Sequence, residues 1–288
     1  SGALILGKVN LSEWAYYFCS GCPLGYSAIG GQTLNPYGRK VFETGGSSSG
    51  SGVSVAANYA VAAVGTETSG SILSPSSKNS VVGLKPTIGL LSRTGIVPIS
   101  STLDTPGPMA KSVIDNAIFL SSLTGEDSED ETTIDNSPNI QYFKELKSAS
   151  LKGKRLGVLK PLLSDSIYAA TINKIRNTGA EVIEFDPPNA QLDGFLTLLN
   201  IDMKYDLPKY LKNYADKQIK VSSIEDIAAL NVQDSLKRMP YNQALFDGII
   251  ADSTSLEELE VIKNNLKIQG QFFLQSPMEE YNLDAILS

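Results

Sequence analysis

The stretch between Gly45 and Pro86, GGSSSGSGVSVAANYAVAAVGTETSGSILSPSSKNSVVGLKP, constrains this chain more than any other. Gly45, Gly46, Gly50, Gly52, Gly65 and Gly70 fall in one short span. Glycine reaches positive φ and admits close approach of other groups, at an entropic cost. By composition alone GGSSSGSG also fits a flexible linker. The residues that follow argue against a linker. Val53, Val55, Ala56, Ala57 and the run 60–64 are apolar, so the serines lead straight into buried structure.

The same stretch can be tested against known serine- and glycine-dependent chemistries. A phosphate-cradling loop of the G-x-x-x-x-G-K-[ST] form has its glycine spacing in Gly45 and Gly50, but Ser51 stands where lysine is required. A nucleophilic serine needs a base. The chain contains no histidine. That excludes a Ser-His-Asp triad within this polypeptide, and histidine-ligated metal sites with it. Activation of serine by lysine, directly or through a second serine, stays open.

GGSSSGSG, GTETSGSILSPSS and VVGLKPTIGLLSRTGIVPIS together resemble the amidase signature family, with a match running from about residue 4 to 125. The resemblance implies a serine hydrolase that cleaves carboxamides with a Ser–Ser–Lys triad, one serine following a cis peptide bond. It also implies an α/β fold, a mixed twisted sheet covered by helices on both faces, here truncated at both ends. The first serine of the family's GGSS matches Ser47, and its nucleophile matches Ser71, 24 residues later. Ser47 would then relay the proton, and the backbone N–H groups of Thr68, Ser69, Gly70 and Ser71 would receive the oxyanion. A glycine at 70 would keep side chains from crowding those donors. A cis bond before Ser47 would cost about 3–4 kcal/mol and persist only if packing imposed it.

The chain departs from the family at the base. The family's lysine lies farther upstream of its first serine than the 46 residues that precede Ser47. Lys8 belongs to the family's GK-x-N element, Lys85 to a framework position and Lys40 to a variable loop, so the resemblance implies a base outside this chain. It also implies one incomplete amidase domain over 1–288, with a signature core at 1–125 holding the serine cluster. Residues 151–288 would hold a βαβ unit and then a helical region walling a substrate funnel.

Composition bounds the rest. A chain of 288 residues, 42% hydrophobic and 19% charged, is long enough for a sizeable core. A net charge of −7 argues against nucleic acid as a direct partner. No run reaches the roughly 18–20 apolar residues of a membrane span, and no signal peptide is visible. These features predict a cytoplasmic protein with no cofactor and no metal.

Taken in order, residues 3–6 (ALIL) predict a short buried strand and residues 10–18 a helix capped at Asn10 or Ser12. Cys19 and Cys22 form a C-x-x-C without a second pair, which predicts loop thiols in a reducing compartment. Residues 81–84 predict a strand. Asp104, beside prolines, predicts a turn or cap residue. Residues 111–123 show helical spacing closed by Gly125. The acidic run 126–136 predicts a solvated loop rather than a metal site.

RLGVL at 155–159, a helical pattern over 165–178 ended by Gly179, and EVIEF at 181–185 predict a βαβ unit with parallel pairing. Residues 190–275 predict mostly helix, with stripes through Leu196, Leu199, Met203, Leu207 and Leu211 and through Leu256, Leu259, Ile262 and Leu266. Tyr205, Tyr210, Tyr214 and Tyr241 are candidate pocket residues there. Residues 283–287 predict a strand.

Within the family, Ser49, Ser69 and Leu73 stand where the A subunit of glutamyl-tRNA amidotransferase usually has glycine, glycine and arginine. Those differences favour stand-alone amidases acting on a small-molecule or peptidyl amide. A glutaminase subunit that needs partner subunits, or a scaffold without activity, are the alternatives.

Overall fold

The computed structural model describes residues 2–133 and 140–288. Elements run in the order β1 (Tyr26–Ser27), β2 (Gly31–Gln32), α1 (Ser49–Ala56), β3 (Ala62–Glu67), α2 (Leu73–Lys78), β4 (Val82–Gly83), β5 (Thr105–Ala110) and α3 (Val113–Leu123). There follow β6 (Arg155–Leu159), α4 (Ser166–Arg176), β7 (Glu181–Phe185), α5 (Phe195–Tyr214), α6 (Ile224–Val232), α7 (Ser235–Arg238), α8 (Ala244–Ala251), α9 (Leu256–Glu280) and β8 (Ala285–Leu287). The chain divides into two compact units, Ser1–Leu146 with Leu199–Ser253, and Lys147–Leu198 with Thr254–Ser288. The expected mixed α/β architecture is present, its strands parcelled among separate sheets.

In the first unit, β5 is the central strand of an antiparallel sheet in the order β3-β5-β4, with Gly65 opposite Gly107. TPGPMA is wholly buried although Pro106 and Pro108 lack N–H donors. The Pro108 carbonyl accepts from Leu84, which places both prolines on the β4 side, where the ladder is short. Val55, Ile72 and Met109 form the core between this sheet and helices α1 and α2. Helix α1 rests on β3 through small residues, Ser51 Oγ donating 2.8 Å to the Val64 carbonyl. Serine and glycine supply most of its burial; the apolar run beyond it is largely exposed at Val61 and Val64.

Several expectations for this unit are corrected. Residues 3–6 form no strand, and Leu4 and Ile5 are 92% and 90% exposed, because no described strand offers them a ladder. The helix expected over 10–18 shrinks to one turn, Glu13–Tyr16, in which Trp14, Ala15 and Tyr16 take positive φ. Left-handed backbone cannot propagate with L residues, so the turn ends there. Cys19 and Cys22 are joined in a disulfide rather than free, the loop bringing their Cα atoms to 5.8 Å.

The acidic run is also more than a solvated loop. Asp130 is buried and paired with Arg93, whose backbone N–H donates at 2.8 Å and whose Nε and Nη2 donate at 3.2 Å each. Residues 134–136 of that run lie outside the described residues. Burial works to raise the Asp130 carboxyl, but the Arg93 and Thr132 hydrogen bonds outweigh it and hold the group well below the usual carboxylate range. A depressed carboxylate adds stability above its unfolded value near pH 4 and loses it as pH falls below that. Asp130→Asn is therefore expected to cost about 2 kcal/mol at pH 7. Urea unfolding should show the gap from wild type narrowing between pH 4 and pH 2, and a gap constant with pH would refute the assignment.

In the second unit, β7-β6-β8 is a parallel sheet, with Leu156 opposite Val182 on one side and Ala285 on the other. The βαβ expectation is met. Asp165 caps α4 by accepting from the N–H groups of Ile167 and Tyr168. Ser255 and Glu258 form a capping box at the start of α9. The helical expectation for 190–275 also holds, with Met203, Leu207 and Leu259 buried and Leu196 and Leu256 exposed at the ends of their stripes.

Candidate active site

The serine-rich loop enters its turn through Gly45 and Gly46, both at positive φ, the region where glycine alone carries no Cβ penalty. A Cβ on Gly46 would lie 3.2 Å from the Ser71 Cα, so the two serine loops touch backbone to backbone. Ser48 N–H donates 3.2 Å to the Ser71 carbonyl. The Ser48 hydroxyl clips the loop to β3, donating to the Thr66 carbonyl and accepting from the Thr66 N–H at 3.0 Å each. From the opposite side, Ser12 N–H donates 3.0 Å to the Ser47 carbonyl and Ser12 Oγ donates 3.0 Å to the Gly46 carbonyl. Ser12, expected as a helix cap, thus holds the loop that carries Ser47.

Ser47 is 1% exposed and Ser71 half-buried. Among the described residues neither hydroxyl has a hydrogen-bond partner. Every described peptide bond is trans, the one before Ser47 included, which corrects the expected cis bond. Gly45 and Gly46, both at positive φ, turn the chain there with the bond in its lower-energy trans form.

The turn 68–71 follows β3 directly. Among the described residues, none accepts from the backbone N–H groups of Ser69, Gly70 or Ser71. Gly70 stands at φ +78° with nothing within 4 Å of an added Cβ. The positive φ alone already favours glycine there.

The turn is anchored at both ends by buried carboxylates. Glu67 accepts from the N–H groups of Ile72 (2.7 Å) and Leu73 (3.0 Å). Asp104 accepts from Thr68 Oγ1 at 2.5 Å and from the N–H groups of Ile99 (2.8 Å) and Ser100 (2.9 Å). Burial raises the Asp104 carboxyl above its ordinary value, against the pull of those hydrogen bonds. The expected turn-closing role of Asp104 accounts for Ile99 and Ser100; its bond to Thr68, 36 residues away, leaves no mark in the sequence.

Among the tyrosine candidates, Tyr210 and Tyr214 stack with ring centroids 5.3 Å apart and line a cleft of about 210 Å³ that Asp104 and Arg93 also border. Tyr241 packs edge-on against Tyr26, away from that cleft, and Tyr205 is half-exposed outside it. A larger apolar groove of about 840 Å³ runs from Leu4 and Leu6 past Val61 and Val64 to Ser47 and Ser51. Among the described residues no group of three or more metal-ligating side chains comes together.

Comparison with known proteins follows this geometry. The family model for Amidase matches residues 1–280. A probable amidase of Arabidopsis thaliana is 38% identical over the whole chain, which spans 58% of that relative's length. The A subunit of the glutamyl-tRNA(Gln) amidotransferase of Roseobacter denitrificans is 37% identical over 73% of the chain and 41% of the subunit. Among solved structures, an amidase family protein from Bacillus anthracis superposes with a TM-score of 0.92 at 38% identity, covering 99% of this chain and 58% of that one. The peptide amidase of Stenotrophomonas maltophilia gives a TM-score of 0.89 at 36% identity over 99% of this chain and 60% of that one. With a family match over nearly its whole length and two such superpositions, the chain belongs to the amidase family.

Proposed function

We propose that the protein hydrolyses a carboxamide through an acyl-enzyme on Ser71. One observation carries the reading: three consecutive N–H groups beside the Ser71 hydroxyl have no acceptor among the described residues. Ser69 is exposed and Gly70 and Ser71 are half-buried, which leaves these donors open to a bound group, and backbone donors aimed where charge develops are what an oxyanion needs. In this reading Ser71 Oγ attacks the carbonyl carbon and its proton passes to Ser47 Oγ, as the Ser47 proton passes to a neutral lysine. The oxyanion is received by the N–H groups of Thr68, Ser69, Gly70 and Ser71. Collapse breaks the C–N bond, the relay returns a proton to the leaving amine, and water then cleaves the ester by the same relay. We assign the base to a lysine outside these 288 residues, which form one incomplete amidase domain.

The solved peptide amidase among the relatives supports a small or peptidyl amide as substrate. Similarity to an amidotransferase A subunit supports a second reading, a glutaminase that works only with partner subunits. The exposed Leu73, at the position where the family resemblance makes arginine usual in such A subunits, weighs against it. Among the described residues no helix is long and apolar enough to cross a membrane. A cytoplasmic setting belongs to the same proposal, although the Cys19–Cys22 disulfide weighs toward an oxidising one.

A fluorophosphonate probe applied to the full-length gene product tests the reading. Labelling at Ser71 that disappears in Ser71→Ala is expected. A folded full-length protein that stays unlabelled would leave only the scaffold alternative, and glutaminase activity that appears only with partner proteins would favour the second reading.

A further inference from the structure

The turn 68–71 has to keep a fixed shape to be useful, yet it is four residues long, contains a glycine and makes few backbone bonds of its own. Ser74 N–H donates 2.8 Å to the Gly70 carbonyl, and Ser48 N–H reaches the Ser71 carbonyl at 3.2 Å. What bounds it are two side chains, Glu67 at 4% exposure and Asp104 at 8%. Glu67 Oε2 accepts from both amides at one end, and Asp104 Oδ1 accepts from the Thr68 hydroxyl at the other. Glu67 is the last residue of β3 and reaches forward over the turn to the N–H groups of Ile72 and Leu73, closing the loop on itself. Asp104 lies just before β5, ties Thr68 through its hydroxyl, and is itself fixed by the Ile99 and Ser100 amides. Since Glu67 pairs with Thr105 in the β3–β5 ladder, both carboxylates spring from neighbouring positions of one sheet.

We propose that Glu67 and Asp104 are positioning residues, a two-ended brace that holds the Thr68–Ser71 turn so that its free amides converge beside the Ser71 hydroxyl. This deepens the reading of Ser71 as nucleophile and rests on it. Neither carboxylate touches the reacting atoms. Each acts by denying the turn alternative shapes in which its amides pair with one another or with water. Both buried carboxyl groups are hydrogen-bonded, three times at Asp104 and twice at Glu67. A brace predicts a particular signature. A displacement of about 1 Å at a catalytic group costs on the order of 10²-fold, and loss of one oxyanion donor about 10²–10³-fold, both in the chemical step rather than in binding.

The test uses fluorophosphonate inactivation of the full-length gene product, which separates the maximal rate of phosphonylation from the half-saturating probe concentration. Glu67→Ala and Asp104→Ala are each expected to lower the maximal rate about 10–100-fold, with half-saturation within about threefold of wild type. Glu67→Gln keeps an acceptor oxygen for both amides and is expected to restore the rate to within about fivefold. Hydrogen exchange at the Ile72 and Leu73 amides should accelerate in Glu67→Ala and not in Glu67→Gln, with global protection elsewhere retained. Wild-type rates in both alanine variants overturn the brace, as does a loss confined to half-saturation or one that Glu67→Gln fails to repair. Exchange needs no labelling, so it reports on the brace even if Ser71 itself proves unreactive. In that case unchanged protection of Ile72 and Leu73 in Glu67→Ala overturns it.

Discussion

Ser47→Ala in the full-length protein is expected to lower amide hydrolysis about 10²–10⁴-fold, the usual contribution of a positioned proton-transfer group, while leaving the fold intact. The asymmetry follows from what Ser47 does in the structure. Its main chain is structural, accepting from Ser12 N–H, and alanine preserves that bond. Its hydroxyl has no hydrogen-bond partner among the described residues, so removing it orphans no buried group. The neighbouring hydroxyl behaves in the opposite way. Ser48 Oγ serves both polar groups of Thr66, and those would be left unpaired without it. Turnover and urea midpoints together check the claim. Full activity in Ser47→Ala would remove Ser47 from the relay, and a midpoint shift comparable to that of Ser48→Ala would make its role structural.

Gly50→Ala carries the largest expected stability loss, about 3 kcal/mol. An added Cβ would stand 2.1 Å from the Asn10 carbonyl oxygen and 2.8 Å from the Asn10 nitrogen, all of it backbone. Gly50 is helical, so the obstacle is steric and not conformational. Nor can the Asn10 segment retreat. Its side chain donates to the carbonyls of Gly25 and Gly31 and to Thr33 Oγ1, and accepts from Ser27 Oγ. Moving it would break four bonds and drag Ser12 from the Ser47 loop. Gly248, in the interior of α8 with nothing within 4 Å of a Cβ, is the contrasting site, where alanine should gain about 0.5–1 kcal/mol. Urea unfolding of both variants decides it, and equal midpoints would mean that the contact at Asn10 does not constrain the chain.

The same residues show why some of the molecule could be read before it was seen. The βαβ unit is legible because RLGVL and EVIEF are short apolar runs of strand length on either side of a helical stripe over 165–178 that Gly179 ends. ALIL has the composition of a strand as well, but strand formation needs a neighbour, and composition does not say whether one is near. The expected helix at 10–18 failed for a related reason. Asn10 and Ser12 look like caps, yet their side chains bond to residues 13 to 34 positions away, which local propensity does not record.

By itself the sequence determined the chemistry available and the places to look for it. Without histidine, and with Ser47 and Ser71 set in glycine-bearing turns, it restricted the candidate nucleophiles and placed them in an α/β family. Only the tertiary structure decided what surrounds them: the Cys19–Cys22 bond, the trans peptide before Ser47, the Ser12 tether, and the carboxylates of Glu67 and Asp104 at the two ends of one turn. Periodic burial repeats along the chain and can be read from it. A hydrogen bond between Thr68 and Asp104 depends on two strands meeting in register, a relation between distant positions that neither position encodes alone.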